Sequence, residues 1–156
     1  MGDRVARFRG TRAWRIARWP LGVLVVAFVA IQFVPYGWWH DNPPVVQDAP
    51  WPNDRARQIA RQSCYACHSN ETEWPLYSYV APMSWLVRAD VEDGRDELNF
   101  SDWTEFSDES GDAIDVIALG EMPPNRYTLV HRSASLSDEE ADILIDALVQ
   151  MGRADE

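Results

Sequence analysis

Residues 64–68 read Cys-Tyr-Ala-Cys-His, and this short stretch decides how the rest of the chain is interpreted. Cys64 and Cys67 stand three positions apart, so that on a helical turn both thiols can reach the vinyl groups at one edge of a porphyrin. His68 follows directly, and its imidazole can then point at the iron. C-x-x-C-H is the attachment motif of c-type haem. It predicts one covalently bound haem with His68 as the proximal ligand.

Paired cysteines at this spacing have two other common uses, a redox dithiol and a zinc site. A redox dithiol also has C-x-x-C spacing, but it is expected within a β-α-β context, and the chain shows no alternating β pattern. A zinc site needs further ligands from a second cluster, and Cys64 and Cys67 are the only cysteines of the chain. Haem is therefore the favoured interpretation, with zinc and thiol chemistry as the alternatives.

A second axial ligand is needed on the other side of the iron, and the candidates are Met83, Met122, Met151, His40 and His131. Met122 is favoured because it lies 54 residues after His68 and is followed by two prolines, which hold the backbone without helical competition. Met83, which follows Pro82, is the alternative. Protein ligands on both sides would leave the iron no open position, which favours electron transfer over catalysis.

The remaining candidates have simpler interpretations. Met151 falls on the apolar face of the last predicted helix and is expected in the core. His40 belongs to a proline-rich segment and is expected to be solvated, whereas His131 can ligate, bond a haem propionate or lie at the surface. Arg88, Arg95 and Arg126 can each pair with a propionate or with a surface carboxylate.

Helical patterns surround the motif. Asn53 or Asp54 can cap a helix that runs through Ser63 and delivers the cysteines at its end. Further helices are predicted over residues 83–97 and 112–119, the latter stopped by Gly120. Ser137 with Glu140 forms a capping box that opens a final helix. Residues 53–156 are thus predicted to form one all-α domain.

The chain before this domain divides into three parts. Residues 1–18 carry six arginines and one aspartate, a net charge of +5, whereas the whole chain carries −11. Residues 19–39 are uncharged and, as a helix, would be about 30 Å long, which predicts one transmembrane anchor. Residues 40–52 contain four prolines and are expected to form a semi-rigid stalk that holds the domain off the membrane.

Charge sets the predicted orientation and excludes one class of partner. By the positive-inside rule the Met1 end stays in the cytoplasm, and the domain after Trp39 lies outside the cytoplasmic membrane. A cleaved signal peptide is the alternative, but bulky residues stand where a peptidase requires small ones. The acidic remainder of the chain argues against nucleic acid as a partner. It favours an electropositive protein partner, with solubility alone as the alternative explanation.

Several motifs in order resemble one known family, the haem-binding-domain family of membrane-attached monohaem cytochromes. They are CHSN at 67–70, WPLYS at 74–78, VAP at 80–82, SWL at 84–86, GR at 94–95, LNFS at 98–101, Trp103, MPP at 122–124, Tyr127 and His131. The resemblance covers about residues 55–150 and implies a cytochrome-c-like helical fold. It also implies covalent haem at Cys64 and Cys67, with His68 and Met122 as axial ligands.

The sequence therefore predicts a membrane-anchored monohaem c-type cytochrome that carries single electrons on the outer face of the cytoplasmic membrane. Its partners would be redox proteins in or at the membrane, and residues 19–39 would contact the bilayer. One alternative is a haem subunit held permanently in a larger respiratory or photosynthetic complex. Another is a haem sensor or peroxidase with an open distal position.

Overall fold

The computed structural model describes residues 12–103 and 110–154, and its regular structure is helical. In these ranges the α-helices are α1 (Arg12–Ile31), α2 (Asp54–Ser63), α3 (Met83–Glu97), α4 (Ser110–Ala118), α5 (Asn125–Thr128) and α6 (Asp138–Ala154). Short 3₁₀ helices span Leu76–Tyr79 and Arg132–Ala134. Within the described ranges, β pairing is limited to one parallel bridge between Gln47 and Asp102. The predicted all-α class is confirmed.

Local capping chemistry places the helix ends close to their predicted positions. The Asn53 side chain accepts a hydrogen bond from the Ala56 amide at 2.9 Å, which starts α2. The Glu140 amide donates to the Ser137 hydroxyl, and the Glu140 carboxylate accepts from the Ser137 amide. This reciprocal pair is the predicted capping box. Gly120, with a φ of +69°, follows the end of α4.

The hydrophobic core lies where α6 packs against α2 and α4. Its buried members are Ala49, Ile59, Ala60, Tyr65, Leu98, Phe100, Trp103, Leu144, Leu148 and Met151. Met151 is thus a core residue, as predicted. Because Tyr65 belongs to the C-x-x-C-H stretch and packs in this core, the motif is held by the same contacts that stabilise the domain.

The predicted stalk is extended but does not stand away from the domain. The amides of Val46 and Gln47 donate to the Ser101 carbonyl, and the Ala49 amide donates to the Phe100 carbonyl. The prolines of this segment prevent helix formation but leave these amides free to pair with residues 100–103. We call residues 32–52 the strap, because they lie along the domain rather than hold it at a distance.

His40 was expected to be solvated, and the structure places it inside the strap contact. Its Nδ1 lies 3.0 Å from the Trp38 carbonyl oxygen, and its Nε2 lies 2.9 Å from that of Ser78. The imidazole also stacks on Tyr79, with ring centroids 4.0 Å apart. Packing between two chain segments has therefore partly buried this histidine, which its own neighbours in sequence did not indicate.

The predicted transmembrane helix over residues 19–39 differs from the observed one. Helix α1 starts earlier and ends at Ile31. The amides of Gln32, Phe33 and Val34 donate to carbonyls three residues back, and Pro35 has no amide hydrogen with which to continue the helix. Across residues 12–103 and 110–154, no helix combines the length and apolar character needed to cross a membrane. Residues 1–11, which belong to the predicted basic segment, lie outside the described residues.

Candidate functional site

Helix α2 delivers the C-x-x-C-H stretch at its C-terminal end. The Cys64 amide donates to the Ala60 carbonyl at 2.8 Å, and the His68 amide donates to the Cys64 carbonyl at 3.0 Å. The helical turn therefore continues through the motif and brings both thiols to one side of the chain. Gly94 of α3 packs against this turn so closely that a Cβ atom there would lie 3.0 Å from the Cβ atom of Cys67.

The imidazole of His68 is oriented by a backbone carbonyl. Its Nδ1 lies 3.0 Å from the Leu98 oxygen, and because a carbonyl can only accept, Nδ1 carries the proton of this bond. That assignment leaves Nε2 with a free lone pair, the arrangement found in metal-ligating histidines. Burial lowers the pKa of His68, which favours the neutral ring that binds metal.

The two thiols are free and partly buried. Burial, followed by the charge of Cys67, raises the pKa of Cys64 to about 12. Burial, followed by the charge of Asp90, raises the pKa of Cys67 to about 11. Both thiols are therefore protonated at neutral pH, whereas redox dithiols rely on a thiolate. The environment disfavours the dithiol alternative and is compatible with thioether bonds, which carry no charge.

The described part of the chain does not contain the ligands of a zinc site. No three side chains of histidine, cysteine, aspartate or glutamate converge there in a way that would hold a metal ion. A structural zinc ion takes four such ligands. The donor set consists instead of two adjacent thiols and one oriented imidazole, which matches the requirements of a covalently bound haem.

A mostly apolar cavity of about 380 Å³ opens beside Cys67. Its walls come from the loop after the motif, from α3 and from the α5 region: Ala66, Cys67, Thr72, Glu73, Pro75, Tyr77, Met83, Leu86, Val87, Asp90, Val91, Arg126, Tyr127, Val130 and His131. Apolar walls next to Cys67 fit a porphyrin face and restrict water. The residues present therefore fit the implied haem.

The candidate sixth ligands lie in different places. Met83 and His131 both line the cavity. Among the residues that the structure describes, Met122 is not part of the cavity wall. Met122 follows the turn after α4, where its amide donates to the Val116 carbonyl at 3.2 Å. Its side chain is partly exposed, as is that of Met83. Met122 as the ligand stays a prediction, and Met83 stays its alternative.

Tyr77, His131 and Tyr127 contact one another on the cavity wall, which the sequence did not predict. The Tyr77 hydroxyl lies 2.6 Å from Nε2 of His131, and the Tyr127 ring stacks on the same imidazole at 4.4 Å. Burial, together with the charges of Cys67, Tyr77 and Cys64, raises the pKa of Tyr127 to about 12. Tyr77 and His131 are 54 residues apart, so no local pattern indicates that they meet.

The three arginines singled out in the sequence bond to protein groups. Arg88 pairs with Glu92 at 2.6 Å, and Arg126 pairs with Asp90 at 2.8 Å. Arg95 donates to the Ser69 carbonyl at 2.8 Å and to the Asn42 side chain at 2.8 Å. Arg95 therefore ties the loop after the motif to the strap. A propionate contact of these arginines stays a prediction.

Comparison with known proteins agrees with this site. The family model described as "Haem-binding domain" matches residues 26–150. The chain is 28% identical over 139 residues to "Cytochrome c peroxidase Ccp" of Escherichia coli (strain K12), a match that covers 80% of this chain and 30% of that protein. No solved structure matches significantly. Because the family match covers most of the chain and includes both thiols and the oriented imidazole, this chain belongs to the haem-binding domain family.

Proposed function

We propose that this haem-binding domain is a monohaem c-type cytochrome that transfers single electrons at a membrane. The observation that carries the proposal is the oriented imidazole: His68 directs Nδ1 to the Leu98 carbonyl directly after two thiols on one helical turn. Cys64 and Cys67 would hold the group through thioether bonds, and Nε2 of His68 would bind its iron. Haem supplies one-electron exchange between Fe(II) and Fe(III) when bound.

For the opposite axial position we propose Met122, with Met83 as the alternative. Support for Met122 comes from its place before Pro123 and Pro124, which restrict the loop that carries it. Support for Met83 comes from its position on the cavity wall beside Cys67. A thioether ligand would raise the reduction potential relative to a second histidine. Either methionine would close the iron to substrates, so the chain would act as a carrier and not as an enzyme.

Membrane attachment is part of the same proposal. The apolar residues of α1 are exposed to an extent that a water-soluble helix would not tolerate: Leu21, Val23, Leu24, Val25, Val26, Phe28 and Val29. The part of α1 from Leu21 to Val29 is therefore apolar on every face, which suits contact with lipid or with other membrane helices. The arginines that precede Trp19 would keep the Met1 end in the cytoplasm and the haem domain on the outer face.

The first test is an optical spectrum of the purified protein, oxidised and reduced, before and after treatment with alkaline pyridine. Haem that stays with the denatured chain and is lost in a Cys64→Ala, Cys67→Ala variant would support covalent attachment. The weak near-infrared band of a sulfur–iron bond should vanish in Met122→Ala and persist in Met83→Ala. The reverse pattern would transfer the ligand role to Met83, and haem that extracts from the denatured chain would refute the c-type proposal.

Two arrangements of the same domain remain to be distinguished. A subunit of a larger respiratory or photosynthetic complex should copurify with its partners in fixed ratio in mild detergent, whereas a free carrier should not. The chain spans about 30% of the length of the peroxidase that it resembles, so an electron-transfer module within a larger assembly is compatible with that likeness. Rapid binding of carbon monoxide to the reduced protein would instead indicate an open iron and a sensor or peroxidase.

A further inference from the structure

Exposed apolar and aromatic side chains surround the point where α1 meets the haem domain. From the strap come Phe33, Val34, Trp38 and Trp39, and from the junction between the first 3₁₀ helix and α3 come Tyr79, Val80 and Met83. We call these seven residues the seat. Phe33 is 73% exposed and Tyr79 is 59% exposed. Exposed apolar side chains in such a group are typical of a surface that contacts lipid or another protein.

We infer that the seat rests on the lipid surface, so that the haem domain lies flush against the bilayer instead of hanging from a stalk. The inference rests on the proposed membrane attachment of α1. It goes beyond that proposal because an anchor by itself leaves the orientation of the domain free. Three properties of the junction support this contact: its close connection of helix and domain, the bonds that hold it, and the chemistry of its side chains.

A paired amide contact joins the helix end to the domain. The Gln32 side chain accepts a hydrogen bond from the Ala81 amide at 2.9 Å and donates one to the Ala81 carbonyl at 3.1 Å. Gln32 is the first residue after α1, and Ala81 follows Val80 of the seat. The end of an embedded helix lies at the membrane interface. A residue bonded to that end within hydrogen-bond distance must lie at the same depth.

Further contacts hold the strap half of the seat against α3. A Cβ atom on Gly37 would lie 2.8 Å from the Ser84 carbonyl carbon and oxygen, which shows how closely the two backbones approach. The Tyr36 hydroxyl donates to Glu92 at 3.1 Å, and Arg88 donates to the Trp39 carbonyl at 2.9 Å. Together with the contact of Gln32, these contacts at residues 36, 37 and 39 oppose rotation of the domain about the helix end.

The side chains of the seat match the chemistry of a bilayer interface. Tryptophan and tyrosine are enriched there because an apolar ring can enter the lipid while a polar atom stays with water or protein. Trp38 fits this pattern, since its Nε1 donates to the Gln32 carbonyl at 3.1 Å and its ring is exposed. Glu92 beside the seat is paired with Arg88, so the contact does not depend on anionic lipid. We therefore expect the seat to contact a zwitterionic lipid surface.

Photochemical labelling of the full-length haem-loaded protein tests the inference. The protein is placed in nanodiscs of phosphatidylcholine that contain an analogue with a diazirine near the glycerol end of its acyl chain. After irradiation, peptide mass spectrometry locates the lipid adducts. We expect adducts on α1, on residues 33–39 and on residues 79–83, with background levels on α6, which packs against α2 and α4.

The outcomes separate the seat from the anchor. Adducts on α1 without adducts on residues 79–83 would overturn the seat and leave membrane attachment standing. No adducts on α1 would overturn membrane attachment, and the seat with it. Adducts on all three regions and background on α6 would support both.

Variants test whether the amide contact holds the seat. Gln32→Ala should lose the adducts on residues 79–83 and keep those on α1. The matched control is Gln62→Ala on α2, which removes a side-chain bond to the Ser133 carbonyl and should keep both sets of adducts. Persistent labelling of residues 79–83 in Gln32→Ala would refute the role of Gln32. If Gln32→Ala loses its haem spectrum, the exposed-site variant Val80→Ser tests the lipid contact of the seat directly. Reduced labelling of residues 79–83 is expected, and unchanged labelling would contradict the contact.

Discussion

Gly37→Ala is the most direct test of whether the strap is packed on the domain. Gly37 has a φ of +86°, and a Cβ atom there would meet the Ser84 carbonyl carbon and oxygen at 2.8 Å. The left-handed conformation costs an L-residue about 1–2 kcal/mol, and forcing a methyl group into packed atoms costs about 1–3 kcal/mol. Because alanine restricts the unfolded chain more than glycine does, the substitution also stabilises the folded state by about 0.4–1 kcal/mol. The expected loss of stability is about 1–4.5 kcal/mol.

The chain supplies matched controls for the two parts of this loss. Gly120 also has a positive φ, +69°, but a Cβ atom there would meet nothing within 4 Å. Gly120→Ala should therefore lose only about 1 kcal/mol, which is the conformational part. Gly111 lies in α4 with open space and no positive φ, and its substitution by alanine should be neutral or stabilising by up to about 1 kcal/mol.

Urea denaturation followed by circular dichroism gives the free energy of unfolding of all three variants. Hydrogen exchange measured by mass spectrometry adds a local readout, because the amides of Val46, Gln47 and Ala49 donate to residues 100 and 101. Faster exchange of these amides in Gly37→Ala would show that the strap opens. If Gly37→Ala and Gly120→Ala lose the same stability and strap exchange is unchanged, the contact with Ser84 is refuted and the stalk prediction is restored.

Three further predictions concern the domain and the loop after the motif. Leu148→Ala should lower the free energy of unfolding by about 2–5 kcal/mol, because Leu148 is 1% exposed in the core; a loss below about 1 kcal/mol in urea would contradict that burial. Bonds from the Ser137 backbone and hydroxyl lower the pKa of Glu140, so its stabilising effect should be present above pH 4.5 and lost as the pH falls through the lower folded value. Melting temperatures of wild type and Glu140→Gln should therefore differ at pH 7 and converge in acid, and a pH-independent difference would refute the capping role. Arg95→Ala should cost about 1–3 kcal/mol and speed amide exchange near Asn42, whereas Arg55→Ala, which loses only an exposed pair with Glu140, should change stability by less than about 1 kcal/mol.

Local patterns predicted most of the helices and the helical turn that carries both thiols and His68. The spacing of Cys64, Cys67 and His68 within one turn is enough to indicate haem chemistry, since the three groups are placed by the backbone that joins them. Helix α3 has the predicted bounds, and α6 begins at its capping box, because caps act within one turn of the residue that carries them.

The strap shows where local patterns mislead. The prolines of residues 40–52 predict an extended spacer, and the segment is extended. Its amides nevertheless pair with the carbonyls of Phe100 and Ser101, about fifty residues away. Backbone partners at such a distance carry no side-chain signature, so composition alone could not distinguish a spacer from a strap. The same limitation applies to the contact between Gln32, directly after α1, and Ala81, which lies 49 residues away.

By itself, the sequence determined the chemistry: two thiols and a histidine at haem-attachment spacing in an all-α domain, preceded by an apolar segment. Only the tertiary structure decided what surrounds that chemistry. The Leu98 carbonyl that orients His68 lies 30 residues away, and Tyr77 meets His131 across 54 residues. The physical reason is the range of the interactions. Spacing within one helical turn is encoded locally, whereas the partners of a buried ring depend on how α3, α5 and the strap pack around it.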